Sequence, residues 1–168
     1  MVTKINADVL DLTDGYAFTG AFSPKGHVLQ SAYTEDLTAR STTSTSFTTT
    51  SISIVLPNTL ASSSARIRIH ANMKIDSDAS RLFYFTLHDG TGELTQSGMH
   101  GMAHMQTHSG QGYKENMDFI YEEVVSSTTP KTYSLYWKVN AGTGYLGSDQ
   151  TGTGTRVPTI MTIEELSV

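Results

Sequence analysis

Residues 65–90 decide the fold, and they read ARIRIHANMKIDSDASRLFYFTLHDG. On either side of the linker DSDAS at 76–80, apolar and polar side chains alternate with the two-residue period of a β-strand. The linker is polar and carries no helix signal, so the pattern predicts a β-hairpin. We expect one face of this hairpin to form the core of the domain. That inner face comprises Ile67, Ile69, Phe83, Phe85 and Leu87.

The opposite face of the second predicted strand is more apolar than a solvent-exposed face should be. It carries Leu82 and Tyr84 between polar neighbours. Something is expected to cover these two side chains, either a loop of the same chain or a neighbouring subunit. They are therefore the candidates for a subunit contact.

The composition favours strands joined by turns. The chain has 168 residues, of which 38% are hydrophobic and only 16% charged, with many Thr, Ser and Gly residues. Such a length suits one domain with a sizeable core. The remaining segments add short strands separated by turn signals, with no amphipathic helix. The sequence therefore predicts an all-β fold, an antiparallel β-sandwich or jelly roll.

Several functional classes are disfavoured by charge and residue usage. A net charge of -5 gives no electrostatic reason to bind nucleic acid or an anionic membrane. There is no cysteine, which excludes disulfides, cysteine-based zinc sites and thiol nucleophiles. The alternating, acidic opening segment is not expected to be a signal peptide, and no apolar run is long enough to cross a bilayer. We expect the chain to be made in a reducing cytoplasm.

The first 27 residues differ from the rest and are predicted to form an N-terminal arm, followed by a sandwich domain over 28–168. Aromatic and aliphatic side chains are favoured anchors at interfaces, so the arm is expected to bind a partner. A first strand with its turn is the alternative. The expected docking residues are Ile5, Val9, Leu12, Tyr16, Phe18 and Phe22.

The Ser/Thr-rich segment 28–64 allows two interpretations. Ile52, Ile54 and Leu56 recur with strand parity, from which Phe47 is offset, and Thr itself favours strands. A disordered linker is the alternative. Further along, 117–125, 133–139 and the C-terminal segment are predicted strands. In the second of these, Tyr133, Leu135, Trp137 and Val139 share one face.

Three histidines at steps of four, His100, His104 and His108, alternate with methionines. On a helix they would align as metal ligands, and a threefold axis could gather one from each subunit. Glycines interrupt the segment, however, and it contains no acidic residue. A surface loop that contacts a partner is the other interpretation. No cofactor is expected.

Other patterns give weaker indications of chemistry. The glycines of 142–154 match no phosphate-binding motif, and no nucleophile elbow is present, so no enzymatic activity is expected. Asp76, Asp78, Asp89 and Glu93 could form a carboxylate group for calcium or for glycoside hydrolysis. The aromatic residues of 133–145 could stack on sugars, although core packing explains those with matching parity. Tyr145 is expected in an exposed loop.

The order of several motifs resembles the jelly-roll domains of tailed-bacteriophage virion proteins, particularly in phages of marine bacteria and cyanobacteria. These motifs are SSSARIRIH at 62–70, the DGTG turn at 89–92, TPKTYSLYWKV at 129–139 and the closing PTIMTIEEL at 158–166. The opening KINADVLDLTDGYAFTG at 4–20 is similar to a segment of phage tail-fibre proteins. The resemblance covers most of the chain and implies a trimeric, non-enzymatic protein of the virion surface.

Two virion locations fit the resemblance. A decoration (cement) protein would bind the major capsid protein, whereas a tail-fibre tip would bind a tail component and recognise host surface glycan or protein. Residues 1–27 contain no heptads, collagen-like period or β-spiral repeat for a shaft, which favours head decoration. A lectin-like carbohydrate-binding module is a further alternative.

Overall fold

The computed structural model describes residues 25–94, 101–107, 115–148 and 156–168. It contains two antiparallel sheets, so the prediction of an all-β fold is confirmed. The ten strands are β1 (Val28–Asp36), β2 (Arg40–Thr42), β3 (Thr48–Ile54), β4 (Arg66–Ser77), β5 (Leu82–His88), β6 (Ala103–Gln106), β7 (Glu115–Val124), β8 (Tyr133–Val139), β9 (Gly144–Leu146) and β10 (Thr159–Leu166). Within these described ranges, no helix is long and apolar enough to cross a membrane.

Sheet A has six strands and is built around β4. Strands β10 and β9 pair with one edge of β4, and β7 pairs with the other edge. Strand β1 extends the sheet beyond β10, and β2 extends it beyond β9. Sheet B has four strands in the order β3-β8-β5-β6. The sheets approach each other along both sides, where β1 lies beside β3 and β6 lies beside β7.

The core lies between the two sheets and uses the side chains that the alternation predicted. Ile67, Ile69, Phe83, Phe85 and Leu87 are all buried in one hydrophobic cluster. Strand β8 adds its predicted face, with Tyr133, Leu135, Trp137 and Val139 buried. The Trp137 ring stacks at 6.5 Å from Phe83 and 6.2 Å from Phe85, measured between ring centroids. The inner face predicted from 65–90 is therefore confirmed.

The predicted hairpin over 65–90 is wrong. Strand β4 belongs to sheet A, whereas β5 lies in sheet B between β8 and β6. Residues 78–81 therefore cross from one sheet to the other. The alternation could not reveal this, because strands that pair edge to edge and strands that face each other across a core both place their apolar row on one side.

The Ser/Thr-rich segment forms strands, so the linker interpretation of 28–64 is wrong. Ile52, Ile54 and Leu56 are buried, as the strand interpretation requires. Phe47 has the opposite parity because its ring lies on the outer face of sheet B, where the Lys138 ammonium is 4.3 Å from the ring centroid.

Gly144 shows why glycine is needed in the segment after β8. A Cβ atom at this position would lie 2.6 Å from both Phe83 Cε1 and Val139 Cγ1, which is too close for any side chain. The backbone of β9 approaches the core closely here, which glycine permits because it has no side chain. Residues 149–155 of that segment lie outside the described ranges.

Candidate binding surface

The outer face of sheet B carries a group of rings. Tyr84 on β5 pairs with His104 on β6 and with Lys138 on β8, and the Tyr84 and His104 ring centroids are 6.3 Å apart. Nearer the other end of the sheet, the rings of His88 and Tyr136 stack at 4.9 Å. All five side chains point away from the core because their neighbours along the strands point into it. His104 is exposed, and the other four are half-buried. We call Phe47, Tyr84, His88, His104, Tyr136 and Lys138 the ring platform.

Lys138 places a positive charge within the ring platform. Its ammonium lies 4.3 Å from the Phe47 ring centroid and 5.3 Å from that of Tyr84, within the range of a cation–π interaction. None of the carboxylates in the described part of the chain forms an ion pair with it. Its positive charge therefore lies against rings, and no described carboxylate neutralises it.

The two sheets differ sharply in charge. The four strands of sheet B contain no Asp or Glu. The strands of sheet A contain nine, namely Glu35, Asp36, Asp76, Glu115, Asp118, Glu122, Glu123, Glu164 and Glu165. Because like charges repel, sheet A disfavours an anionic ligand that the outer face of sheet B can accept.

The outer face of sheet A is occupied by ion pairs. Arg66 and Arg68 both form ion pairs with Glu122. Arg68 Nε lies 2.6 Å from Glu122 Oε1, and the Arg68 guanidinium also lies 3.6 Å from Glu164 Oε2. Hydrogen bonds from Arg68 and Arg66 lower the pKa of Glu122. At the same face His70 lies 3.8 Å from Asp118. Exposed pairs of this kind contribute little to stability. Their charged groups keep this face of sheet A polar and solvated.

Asp89, Lys131, Glu123 and Tyr133 link the two sheets at one end. The Lys131 ammonium lies 3.1 Å from Asp89 Oδ2, after β5 of sheet B, and 3.5 Å from Glu123 Oε1 on β7 of sheet A. Tyr133 donates its hydroxyl hydrogen to Glu123. Burial and this hydrogen bond raise the pKa of Tyr133 far above its ordinary value, so the phenol stays neutral. Burial also raises the pKa of Tyr121, beside Glu123, to about 12.

Asp89 has a structural role in this cluster. Its Oδ1 accepts hydrogen bonds from the Thr91 hydroxyl at 2.6 Å and from the backbone N–H groups of Thr91 and Gly92. The Thr91 hydroxyl bond, together with those N–H groups and Lys131, holds the pKa of Asp89 well below its usual range. A carboxylate with so low a pKa cannot act as a general acid at neutral pH.

A shallow depression of about 150 Å³ lies between β2 and β9, and Arg40 and Tyr145 are among the residues that line it. Ligand pockets are usually ~300–1,000 Å³. Arg40 is held by Asp36, whose pKa its hydrogen bonds lower to about 2. Tyr145 lies in β9 and is half-buried, which corrects its placement in an exposed loop. The strand forms because Tyr145 pairs with Ser41 on one side and Asp76 on the other.

The predicted partner contacts are only partly within the described ranges. The arm residues Ile5, Val9, Leu12, Tyr16, Phe18 and Phe22 all lie outside them. Leu82 and Tyr84 are half-buried, and Tyr84 lies beside His104 and Lys138 of its own chain. The contact of Leu82 and Tyr84 with a neighbouring subunit stays a prediction.

Of the predicted metal ligands, His100 and His108 lie outside the described residues, while His104 is in β6. Strand β6 replaces the predicted surface loop at this point, since 103–106 pair with β5. The described ranges contain no cluster of three or more metal-ligating side chains. Asp76 and Asp78 precede β5 whereas Asp89 follows it, about 20 Å away along the strand, so the proposed carboxylate group does not form.

Sequence reasoning missed the ring platform as a unit. Tyr133 and Trp137 are in the core, as the packing explanation required, and Tyr136 alone of the 133–137 aromatics faces outward. The sequence pattern gives no reason to group His88, Lys138 and Phe47 with Tyr136. The polar parity of β8 marks Tyr136 and Lys138 as outward-facing, but only the register of β5 against β8 brings His88 and Tyr84 beside them.

Neither a protein-family model nor a curated protein matches this sequence.

Proposed function

We propose that the chain is a non-enzymatic structural protein of a tailed-phage virion, a trimeric jelly-roll surface protein that binds and stabilises the assembled capsid. The resemblance of its motifs to phage virion domains supports this proposal, as does the presence of two antiparallel sheets around one core. In this proposal the major capsid protein is the partner, and the protein is made in the host cytoplasm and functions on the virion surface.

The observation that carries the docking part is an apolar end of sheet A, formed by the exposed valines Val28, Val124 and Val168. Val28 pairs with Leu166, Leu166 with Arg66, and Arg66 with Val124, so these residues form one row across the sheet. Val124 is 65% exposed, and Val168, just after the row, is 57% exposed. Within the row, buried Leu166 and ion-paired Arg66 separate Val28 from Val124, so the valines mark the two sides of this end. Exposed apolar side chains contribute to an interaction site when a partner covers them.

The predicted arm joins the domain at this same end. The Gly26 N–H donates to the Ser167 carbonyl at 2.9 Å, and Ser167 N–H donates to the His27 carbonyl at 2.8 Å. The arm and the apolar end can therefore bind one partner together, clamping neighbouring copies on the shell. A protein that binds only the assembled particle stabilises it by mass action.

A second candidate function is a tail-fibre or receptor-binding tip. The ring platform favours it, because outward-facing rings on a sheet suit recognition of a host surface molecule. Counting copies per virion by gel densitometry separates the two functions. Hundreds of copies indicate decoration, whereas a few dozen or fewer indicate a fibre.

Removal of residues 1–22 is expected to abolish incorporation into particles, because it removes all six predicted docking residues. The measurement is co-sedimentation of the variant with particles that lack the protein. Circular dichroism should show an unchanged β spectrum, since the described core begins after the deleted segment. The double variant Phe18→Ser, Phe22→Ser should weaken incorporation without shortening the chain. Unchanged incorporation of the deletion variant would rule out the docking arm.

A further inference from the structure

Sheet B presents its rings and its lysine on a face whose strands contain no carboxylate. We propose that the ring platform binds an acidic polysaccharide, with sugar rings packed on Tyr136 and His88 and a sugar carboxylate paired with Lys138. This ligand class goes beyond the structural role proposed above and does not depend on whether the capsid or the tail carries the protein.

The rings supply the packing surface for sugars. Tyr136 and His88 stack at 4.9 Å, and Tyr84 lies on the neighbouring row of the same face. The apolar faces of sugar rings pack on aromatic rings, while sugar hydroxyls need polar partners beside them. Thr49 pairs with Tyr136, and Ser53 pairs with Ser134, so hydroxyl side chains border the rings on the β3 side.

His88 also has a fixed donor. Its Nδ1 accepts a hydrogen bond from the Gly90 N–H at 3.0 Å, which places the proton of the neutral ring on Nε2. A donor on the edge of a stacked ring can bind a sugar hydroxyl or carboxylate. The turn after β5 therefore sets both the position and the tautomer of this ring.

Charge selects an acidic sugar over a neutral one. Lys138 has no ion-pair partner among the described carboxylates, and its ammonium is held between Phe47 and Tyr84. A ligand carboxylate would pair with the Lys138 ammonium through a charge-assisted hydrogen bond. Glu93, which forms an isolated bridge with His88 at the rim, is the acidic side chain nearest in register to the platform.

Nucleic acid fits the platform less well, although rings and a cation also suit stacked bases. Binding to a phosphate backbone usually relies on several Lys or Arg contacts, and the strands of sheet B contain one lysine and no arginine. One sugar carboxylate matches the single lysine of these strands.

The test uses the full chain and two versions of one probe, hexagalacturonate and its methyl ester, in isothermal titration calorimetry. The acid should bind at least about fivefold more tightly than the ester, since a charge-assisted hydrogen bond is lost with esterification. Tyr136→Ala should weaken binding of the acid by about fivefold or more, and Tyr136→Phe should retain most of it. Lys138→Gln should remove the preference for the acid. Glu93→Gln should tighten binding about twofold because it removes a like charge.

The matched control is Tyr33→Ala, which removes an exposed tyrosine from the outer face of sheet A and should leave the affinity unchanged. Thermal unfolding of each variant separates lost binding from lost folding. The proposal is overturned if hexagalacturonate does not bind, if acid and ester bind equally, or if Tyr33→Ala and Tyr136→Ala weaken binding alike. Tighter binding of a thymidine oligonucleotide than of hexagalacturonate would also overturn it. None of these outcomes depends on particle incorporation, so the two proposals fail separately.

Discussion

Phe85→Ala is expected to lower the free energy of unfolding by about 3–5 kcal/mol. Phe85 is fully buried, and its ring stacks 6.2 Å from Trp137 and 6.5 Å from Phe83. Truncation removes the transfer free energy of the ring and leaves a cavity where two sheets meet. Because the strands around it pair on both sides, the backbone has little freedom to close that cavity.

Tyr84→Ala provides the control on the same strand. Tyr84 points outward and is half-buried, so its removal should cost less than half as much as removal of Phe85. Urea unfolding followed by tryptophan fluorescence measures both, because the single Trp137 lies in the core. Equal losses for the two variants would contradict the assignment of inward and outward faces on β5.

Asp89→Asn is expected to destabilise the protein by about 1.5–3 kcal/mol at pH 7, the range for hydrogen bonds to charged groups. The Asp89 side chain is only 8% exposed and joins the turn after β5 to Lys131. Asparagine keeps an acceptor for the Thr91 and Gly92 N–H groups but loses the negative charge that faces the ammonium.

The same residue predicts how stability changes with pH. The pKa of Asp89 is lower in the folded protein than the ~3.9 of an unfolded chain. Its contribution is therefore complete above pH ~4 and is lost as the pH falls toward the folded-state pKa. The difference in unfolding free energy between wild type and Asp89→Asn should shrink between pH 7 and pH 3.

The control for this prediction is Asp118→Asn. Asp118 is 65% exposed and lies 3.8 Å from His70, so its loss should change stability by less than ~1 kcal/mol. Urea unfolding at pH 7 and pH 3 compares the three proteins. A constant difference between wild type and Asp89→Asn at both values would contradict the role assigned to its charge.

The core could be predicted from the sequence because alternation depends only on neighbouring residues. Ile67, Phe85 and Trp137 are buried because each lies on the apolar face of an alternating strand. The pairing of strands could not be predicted in this way. Strand β4 pairs with β10, which is about ninety positions later, and nothing in residues 65–90 encodes that partner.

The ring platform could not be predicted from the sequence for the same reason. Tyr84, His88 and Tyr136 come together only through the register between β5 and β8. The hairpin interpretation paired β5 with β4 and so gave no reason to expect Tyr136 beside Tyr84 and His88. The histidine spacing was the more visible pattern, yet of its three residues the described chain brings only His104 to this surface.

The joining of both ends of the described chain at one edge of sheet A has a mechanical consequence. Gly26 and His27 bond to Ser167, and β1 runs antiparallel to β10 from that point. A force that pulls the two ends apart would open the β1–β10 ladder one hydrogen bond at a time, which requires little force. A force applied between β4 of sheet A and the outer face of sheet B would instead pass through the packed core and the Lys131 link, where many contacts resist together. The protein should therefore withstand tension between its two sheets far better than tension between its own ends.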